Sequence, residues 1–138
     1  MRFGLTHKDS QDIGFALACL ACRAIHFREF KEWIYYVIEH DDDPPGYLFD
    51  MLDIKQLVDF KPVQIMGWHS STTISDEEAE VLTGISVRRG ITSFEDTISR
   101  DDAIAKRRTN AAFVEQVKQF FPFLELDEVV GPDPDQGW

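Results

Sequence analysis

The feature that most constrains the fold is the helical spacing of apolar residues between Phe27 and Glu39. Charged side chains fill the positions between them, so this segment has one apolar face and one polar face. Pro44 must end the helix at or before Asp43, because the residue before a proline avoids the α-helical conformation. The segment therefore predicts an amphipathic helix with one buried face. Its apolar positions are Phe27, Phe30, Ile34, Val37 and Ile38.

Two segments on either side of this helix also have helical features. Ser10 to Ala24 is apolar on nearly every side, which is typical of a central helix, with Asp9 or Ser10 as its N-cap. Tyr47 to Leu52 follows two prolines that suit a first helical turn. The sequence therefore predicts a short helix there, capped by one of the aspartates before the prolines, Asp42 or Asp43.

The second half of the chain carries two capping-box patterns. Ser75–Glu78 predicts the start of a helix that ends near Gly90, and Thr92–Glu95 predicts another short one. Asp101 to Phe121 keeps the helical period and predicts one long helix that ends at Pro122. Residues 59–68 fit strand or helix, with Pro62 as a break.

These segments together favour an all-α fold. Five or six helices and no alternating strand predict a helical bundle, and 138 residues suit one domain with one core. We interpret residues 1–138 as a single helical domain in which residues 122–138 form an extended acidic tail.

Composition favours a cytoplasmic protein. No apolar run reaches the length of a membrane span, and the N-terminus lacks the pattern of a secretory signal. Cys19 and Cys22 form a C-x-x-C within the predicted first helix, where small buried side chains are a better interpretation than a redox or zinc site. We expect neither a metal nor another cofactor.

The charge is strongly negative and unevenly distributed. The formal net charge is −11, and residues 39–59 hold seven acidic side chains against Lys55 alone. Four more acidic residues lie in residues 76–80, and five lie in residues 122–138, which contain no basic residue. Such a surface repels nucleic acids and anionic membranes and attracts cationic proteins. Three aromatic side chains near the first acidic stretch are either interface anchors or packing residues, namely Tyr47, Phe49 and Trp68.

No nucleotide-binding loop or serine-nucleophile motif is present. One catalytic alternative remains, because His40-Asp41 is an HD doublet and His26 precedes it by fourteen residues. Helical HD-type phosphohydrolases hold divalent metals with such residues. The alternative function is therefore a small metal-dependent phosphohydrolase that uses His26, His40 and Asp41.

The run HFREFKEWIYYVIEHDDDPPGYLFDMLDIK, with EEAEVLTGISVRRG after it, resembles the acidic immunity proteins of bacterial contact-dependent growth inhibition and related polymorphic toxin systems. The resemblance implies a cytoplasmic, non-enzymatic antidote that binds one toxin's C-terminal nuclease domain, which cleaves tRNA or DNA. The acidic stretches are the predicted contact surface. Its residues are Asp41, Asp42, Asp43, Tyr47, Asp50 and Asp53, with Glu77, Glu78 and Glu80 as a second patch.

A third interpretation is an acidic regulator that mimics DNA. It predicts a repressor or nucleoid protein as the partner in place of a toxin, and it rests on the same distribution of charge. All three interpretations stay open from the sequence.

Overall fold

The computed structural model describes residues 3–70, 74–91 and 100–135. These residues form seven α-helices, one 3₁₀ turn (Leu57–Asp59) and no strand, which confirms the predicted all-α class. The helices are α1 (Gln11–Ala21), α2 (Phe27–His40), α3 (Tyr47–Leu52), α4 (Pro62–Met66), α5 (Asp76–Arg88), α6 (Arg100–Thr109) and α7 (Ala111–Phe120).

Helix α2 supplies the largest side chains of the core. Its apolar face is buried as the spacing predicts, and Trp33 stacks on Phe120 of α7 with 5.5 Å between ring centroids. Phe60, which follows the 3₁₀ turn, packs against both Phe27 and Phe30. One buried cluster joins these rings to α1, α3, α5 and α7.

The two cysteines lie in and just after α1. Cys19 is buried, Cys22 is partly buried, and both are free thiols. Burial raises the pKa of each thiol, so neither forms a reactive thiolate near neutral pH. Cys19 is part of the hydrophobic core, as predicted, and Cys22 packs against the core from a partly buried position.

The prolines before α3 and at the start of α4 have positions that differ from the prediction. Helix α3 begins at Tyr47 with Gly46 as its N-cap, so the expected cap at Asp42 or Asp43 is wrong. The backbone carbonyl of Pro45 accepts a hydrogen bond from the Leu48 amide, and the prolines therefore form the turn before α3. Pro62, expected as a break, is instead the first residue of α4, where its missing N–H costs nothing.

The capping box of α5 is confirmed, with the Ser75 hydroxyl 3.1 Å from the amide of Glu78. The second capping box, at Thr92–Glu95, lies outside the described residues. The predicted long helix is divided at Asn110 into α6 and α7, and the expectation of one continuous helix is wrong. The Asn110 side chain donates to the Lys106 carbonyl, a side-chain bond that competes with the helical ladder.

The described part of the C-terminal segment is not helical, and it runs back across the bundle. Leu126 is buried in the core. Further on, the Asp133 carboxylate accepts a hydrogen bond from the Phe27 amide at the start of α2. The acidic tail is thus packed against the helices.

One carboxylate of this segment, Asp127, binds cations from three helices. Its Oδ1 atom lies 2.5 Å from Arg107 of α6, and its Oδ2 atom lies 3.0 Å from Lys118 of α7. Arg88, at the end of α5, is 4.0 Å from Oδ1. We call Arg88, Arg107, Lys118 and Asp127 the Asp127 cluster.

Acid is expected to remove the stabilising effect of Asp127 only at unusually low pH. Hydrogen bonds from Lys118 and Arg107 lower the pKa of the Asp127 carboxyl from its usual 3.8. A group whose pKa is lower in the folded state stabilises the fold above its unfolded pKa and loses that contribution as the pH falls through its folded pKa.

Thermal unfolding of the chain and of an Asp127→Asn variant, measured from neutral pH down to about pH 2, checks this. The difference in midpoint should be constant above about pH 5 and shrink below the usual pKa of aspartate. A difference that does not change with pH would contradict it.

Candidate binding surface

Asp41 has a structural role at the end of α2. It is 9% exposed, and its Oδ2 atom accepts a hydrogen bond from the Phe3 amide at 2.8 Å. Its Oδ1 atom accepts one from the Asp43 amide, also at 2.8 Å. This carboxylate therefore connects the N-terminal segment to the loop after α2. Its bond to the Asp43 amide also fixes the turn that carries Asp42 and Asp43.

Tyr47 positions α3 against the N-terminal segment. Its hydroxyl donates to the Leu5 carbonyl at 2.6 Å, and its ring packs edge-on against Trp68. Burial raises the pKa of the Tyr47 phenol, so it stays protonated and keeps that bond. Tyr47 and Trp68 are both partly buried, and Trp68 also stacks on His7.

Helix α3 has one buried and one exposed face. Leu48 and Met51 are fully buried, while three side chains of the opposite face are exposed, Phe49, Asp50 and Asp53. Positions 49 and 53 are one helical turn apart, so their side chains are neighbours. Phe49 is 50% exposed, which makes it the aromatic residue of this region that a partner can reach.

Four of the six residues in the first predicted patch are exposed. Asp42 and Asp43 precede α3, and Asp50 and Asp53 lie on its outer face. Within the described residues, no ion pair involves Asp50 or Asp53. We call Asp42, Asp43, Phe49, Asp50 and Asp53 the α3 acidic face. Phe49 is missing from the predicted contact residues, although its place opposite Met51 on a helical wheel indicates exposure.

The second predicted patch is partly neutralised. The Glu78 carboxylate accepts a hydrogen bond from the Ser75 amide and completes the capping box of α5. Glu77 and Glu80 lie 3.3 and 3.0 Å from Lys106 of α6. Hydrogen bonds to Glu80 and Glu77 raise the pKa of Lys106. These carboxylates hold α6 beside α5, so the α3 acidic face is the better candidate surface.

The residues of the metal-site alternative do not come together. His26 and His40 stand at opposite ends of α2, whose 14 residues span about 21 Å. The His26 Nε2 atom lies 2.8 Å from the Gly131 carbonyl, and His40 Nδ1 lies 2.8 Å from the Tyr36 carbonyl. Among the described residues, no three His, Cys, Asp or Glu side chains are grouped to hold a metal ion. One ion cannot bind this donor set.

No protein-family model, curated protein or solved structure matches the chain. Within the described ranges, every helix is too short or too polar to cross a lipid bilayer.

Proposed function

We propose that this chain is an immunity protein that binds and neutralises a cationic toxin nuclease domain in the cytoplasm, through the α3 acidic face. One observation carries the proposal. Four exposed carboxylates and a half-exposed phenylalanine lie along one loop and one helix whose other face is fixed in the core. An exposed aromatic side chain surrounded by charged residues fits the apolar centre and polar rim of a protein-binding site.

The mechanism needs no chemistry from this chain. A nuclease must hold phosphates, so its cleft is cationic, and long-range attraction to the carboxylates speeds its encounter with the inhibitor. Burial of Phe49 in the complex then slows dissociation, because apolar area is removed from water. The bound inhibitor occupies the surface that RNA or DNA would use, and one molecule blocks one nuclease.

The direct test uses the C-terminal domain of a large secreted protein encoded beside this chain. We expect a one-to-one complex and loss of tRNA or DNA cleavage at equimolar inhibitor. Full cleavage in the presence of excess chain would overturn the proposal. A complex with a DNA-binding repressor instead would favour the DNA-mimicking regulator.

Neutralising the α3 acidic face is expected to slow association with the toxin domain by about tenfold or more at low salt, because steering depends on these charges. The variant replaces Asp42, Asp43, Asp50 and Asp53 by asparagine, and stopped-flow mixing over a series of salt concentrations measures the rate. Its association rate should also depend less on salt than that of the native chain.

A matched control removes the same charge elsewhere. It replaces four other exposed acidic residues by their amides, namely Glu32, Asp76, Glu115 and Glu128. The control should associate much faster than the α3 variant at the same salt concentration. Equal rates in the two variants would show that net charge, and not the α3 acidic face, governs binding.

A further inference from the structure

Among the ion pairs of the described residues, the Asp127 cluster has more cations than carboxylates. Three cations from three helices share one carboxylate, whereas Lys106 has two carboxylates to itself. The chain has 14 basic and 25 acidic side chains, so a local excess of cations runs against its composition. The Glu125 carboxylate lies 3.4 Å from the Asp127 amide, but in the described part of the chain neither it nor Glu128 pairs with these cations.

The cluster also has donors that Asp127 does not satisfy. Both carboxylate oxygens are already used, one by Arg107 and one by Lys118. Arg88 is 4.0 Å from the nearer oxygen, which is beyond hydrogen-bonding distance, and its side chain is 54% exposed. The Arg107 Nη1 atom is buried and has no hydrogen-bond partner among the described residues. A buried donor left unpaired is costly, so a ligand with more acceptors would be stabilised here.

From this geometry we propose that Arg88, Arg107 and Lys118 form a binding site for a phosphate group, and that Asp127 occupies this site in the unliganded chain. A phosphate has more acceptor oxygens and more charge than a carboxylate, and two guanidinium groups match its geometry. The bound phosphate displaces the Asp127 side chain and takes donors from all three cations. The half-exposed Arg88 is the first contact. This site is independent of the proposed function.

Phosphate binding is tested on the full chain at neutral pH, with ionic strength held constant by sodium chloride. Inorganic phosphate and glycerol 2-phosphate are titrated separately, and two-dimensional NMR follows the backbone and the arginine side chains. We expect saturable shifts at Arg88, Arg107 and Lys118. Binding of both probes identifies a phosphate monoester as an acceptable ligand, and binding of inorganic phosphate alone restricts the site to the free anion.

Two variants and one control decide the result. Arg88→Gln should weaken phosphate binding about tenfold, the usual effect of losing a charged hydrogen bond. Asp127→Asn should tighten binding, because it removes the competing carboxylate. If Asp127→Asn does not fold, the Arg88→Gln variant still tests the proposal, because Arg88 is exposed. Lys55→Gln, which removes an exposed cation outside the cluster, should leave the affinity unchanged. No saturable shift, or the same affinity in Arg88→Gln, would overturn the proposal.

Discussion

Glu29→Gln is expected to destabilise the chain by about 3 kcal/mol, because it leaves a buried arginine without its counter-charge. Arg89 is 1% exposed, and its two terminal nitrogens lie 2.8 and 2.6 Å from the Glu29 carboxylate. One of them also donates to the Ala24 carbonyl, and the Nε atom has no partner in the described part of the chain. Glutamine keeps the shape of Glu29 and can still accept from the His26 amide as the carboxylate does at 2.7 Å. The variant therefore removes the charge together with one hydrogen bond, because the new amide nitrogen faces an Arg89 donor.

Glu78→Gln is the matched control for this variant. Glu78 has the same capping-box position in α5, but no buried arginine contacts it among the described residues. Its replacement should cost less than about 1 kcal/mol. Urea denaturation of the three proteins measures the difference. Similar small losses of stability in Glu29→Gln and Glu78→Gln would show that the Glu29–Arg89 pair contributes little. If the unpaired Arg89 charge causes the loss in Glu29→Gln, adding Arg89→Met to that variant should recover stability.

Local patterns in the sequence were sufficient to find most helices. The spacing of apolar residues located α2, and a capping box located the start of α5. Each of these patterns is formed by residues that are close together in the sequence. Arg89 illustrates the limit. It directly follows α5, and its partner Glu29 is 60 residues away in the chain. A pairing at that distance leaves no local pattern.

The acidic run after α2 shows why the candidate surface was only partly predictable. Three identical aspartates have different environments: Asp41 is buried, while Asp42 and Asp43 are exposed. Composition cannot distinguish them, because the difference comes from a contact that is distant in sequence. The Phe3 amide donates to the Asp41 carboxylate. The turn that Asp41 makes with the amide two residues on is a local feature, and it identifies the aspartate directly after the helix as the structural one.

The C-terminal segment was expected to be an extended acidic tail, and its residues serve instead as contacts for α2 and the 3₁₀ turn. The Gly131 carbonyl pairs with the His26 ring, and the Asp135 carbonyl accepts from the Leu57 amide at 2.6 Å. The Val130 and Gly131 amides donate to the Arg89 carbonyl. Each contact joins residues far apart in sequence, so the charge of the segment gave no sign of them.

Asp133→Ala is expected to destabilise the chain by about 2–3 kcal/mol, because it removes two hydrogen bonds to a buried carboxylate. Asp133 is 5% exposed, and its oxygens accept from the Phe27 amide at 2.7 Å and from the Asp135 amide at 2.9 Å. Phe27 is the first residue of α2, where the helix dipole favours a negative charge. Helix α2 would thus lose an anion at its N-terminus, and the C-terminal segment would lose one of its contacts with α2.

Thermal unfolding and amide hydrogen exchange together measure this effect. Exchange at Phe27 and at Leu57 should accelerate in Asp133→Ala, because the segment that protects both amides is released. Asp133→Asn, which keeps one acceptor oxygen but no charge, should have intermediate stability. Glu128→Ala, an exposed acidic residue of the same segment, should change stability by less than about 0.5 kcal/mol. If Asp133→Ala were as mild as Glu128→Ala, the Asp133 carboxylate would contribute little to the stability of the fold.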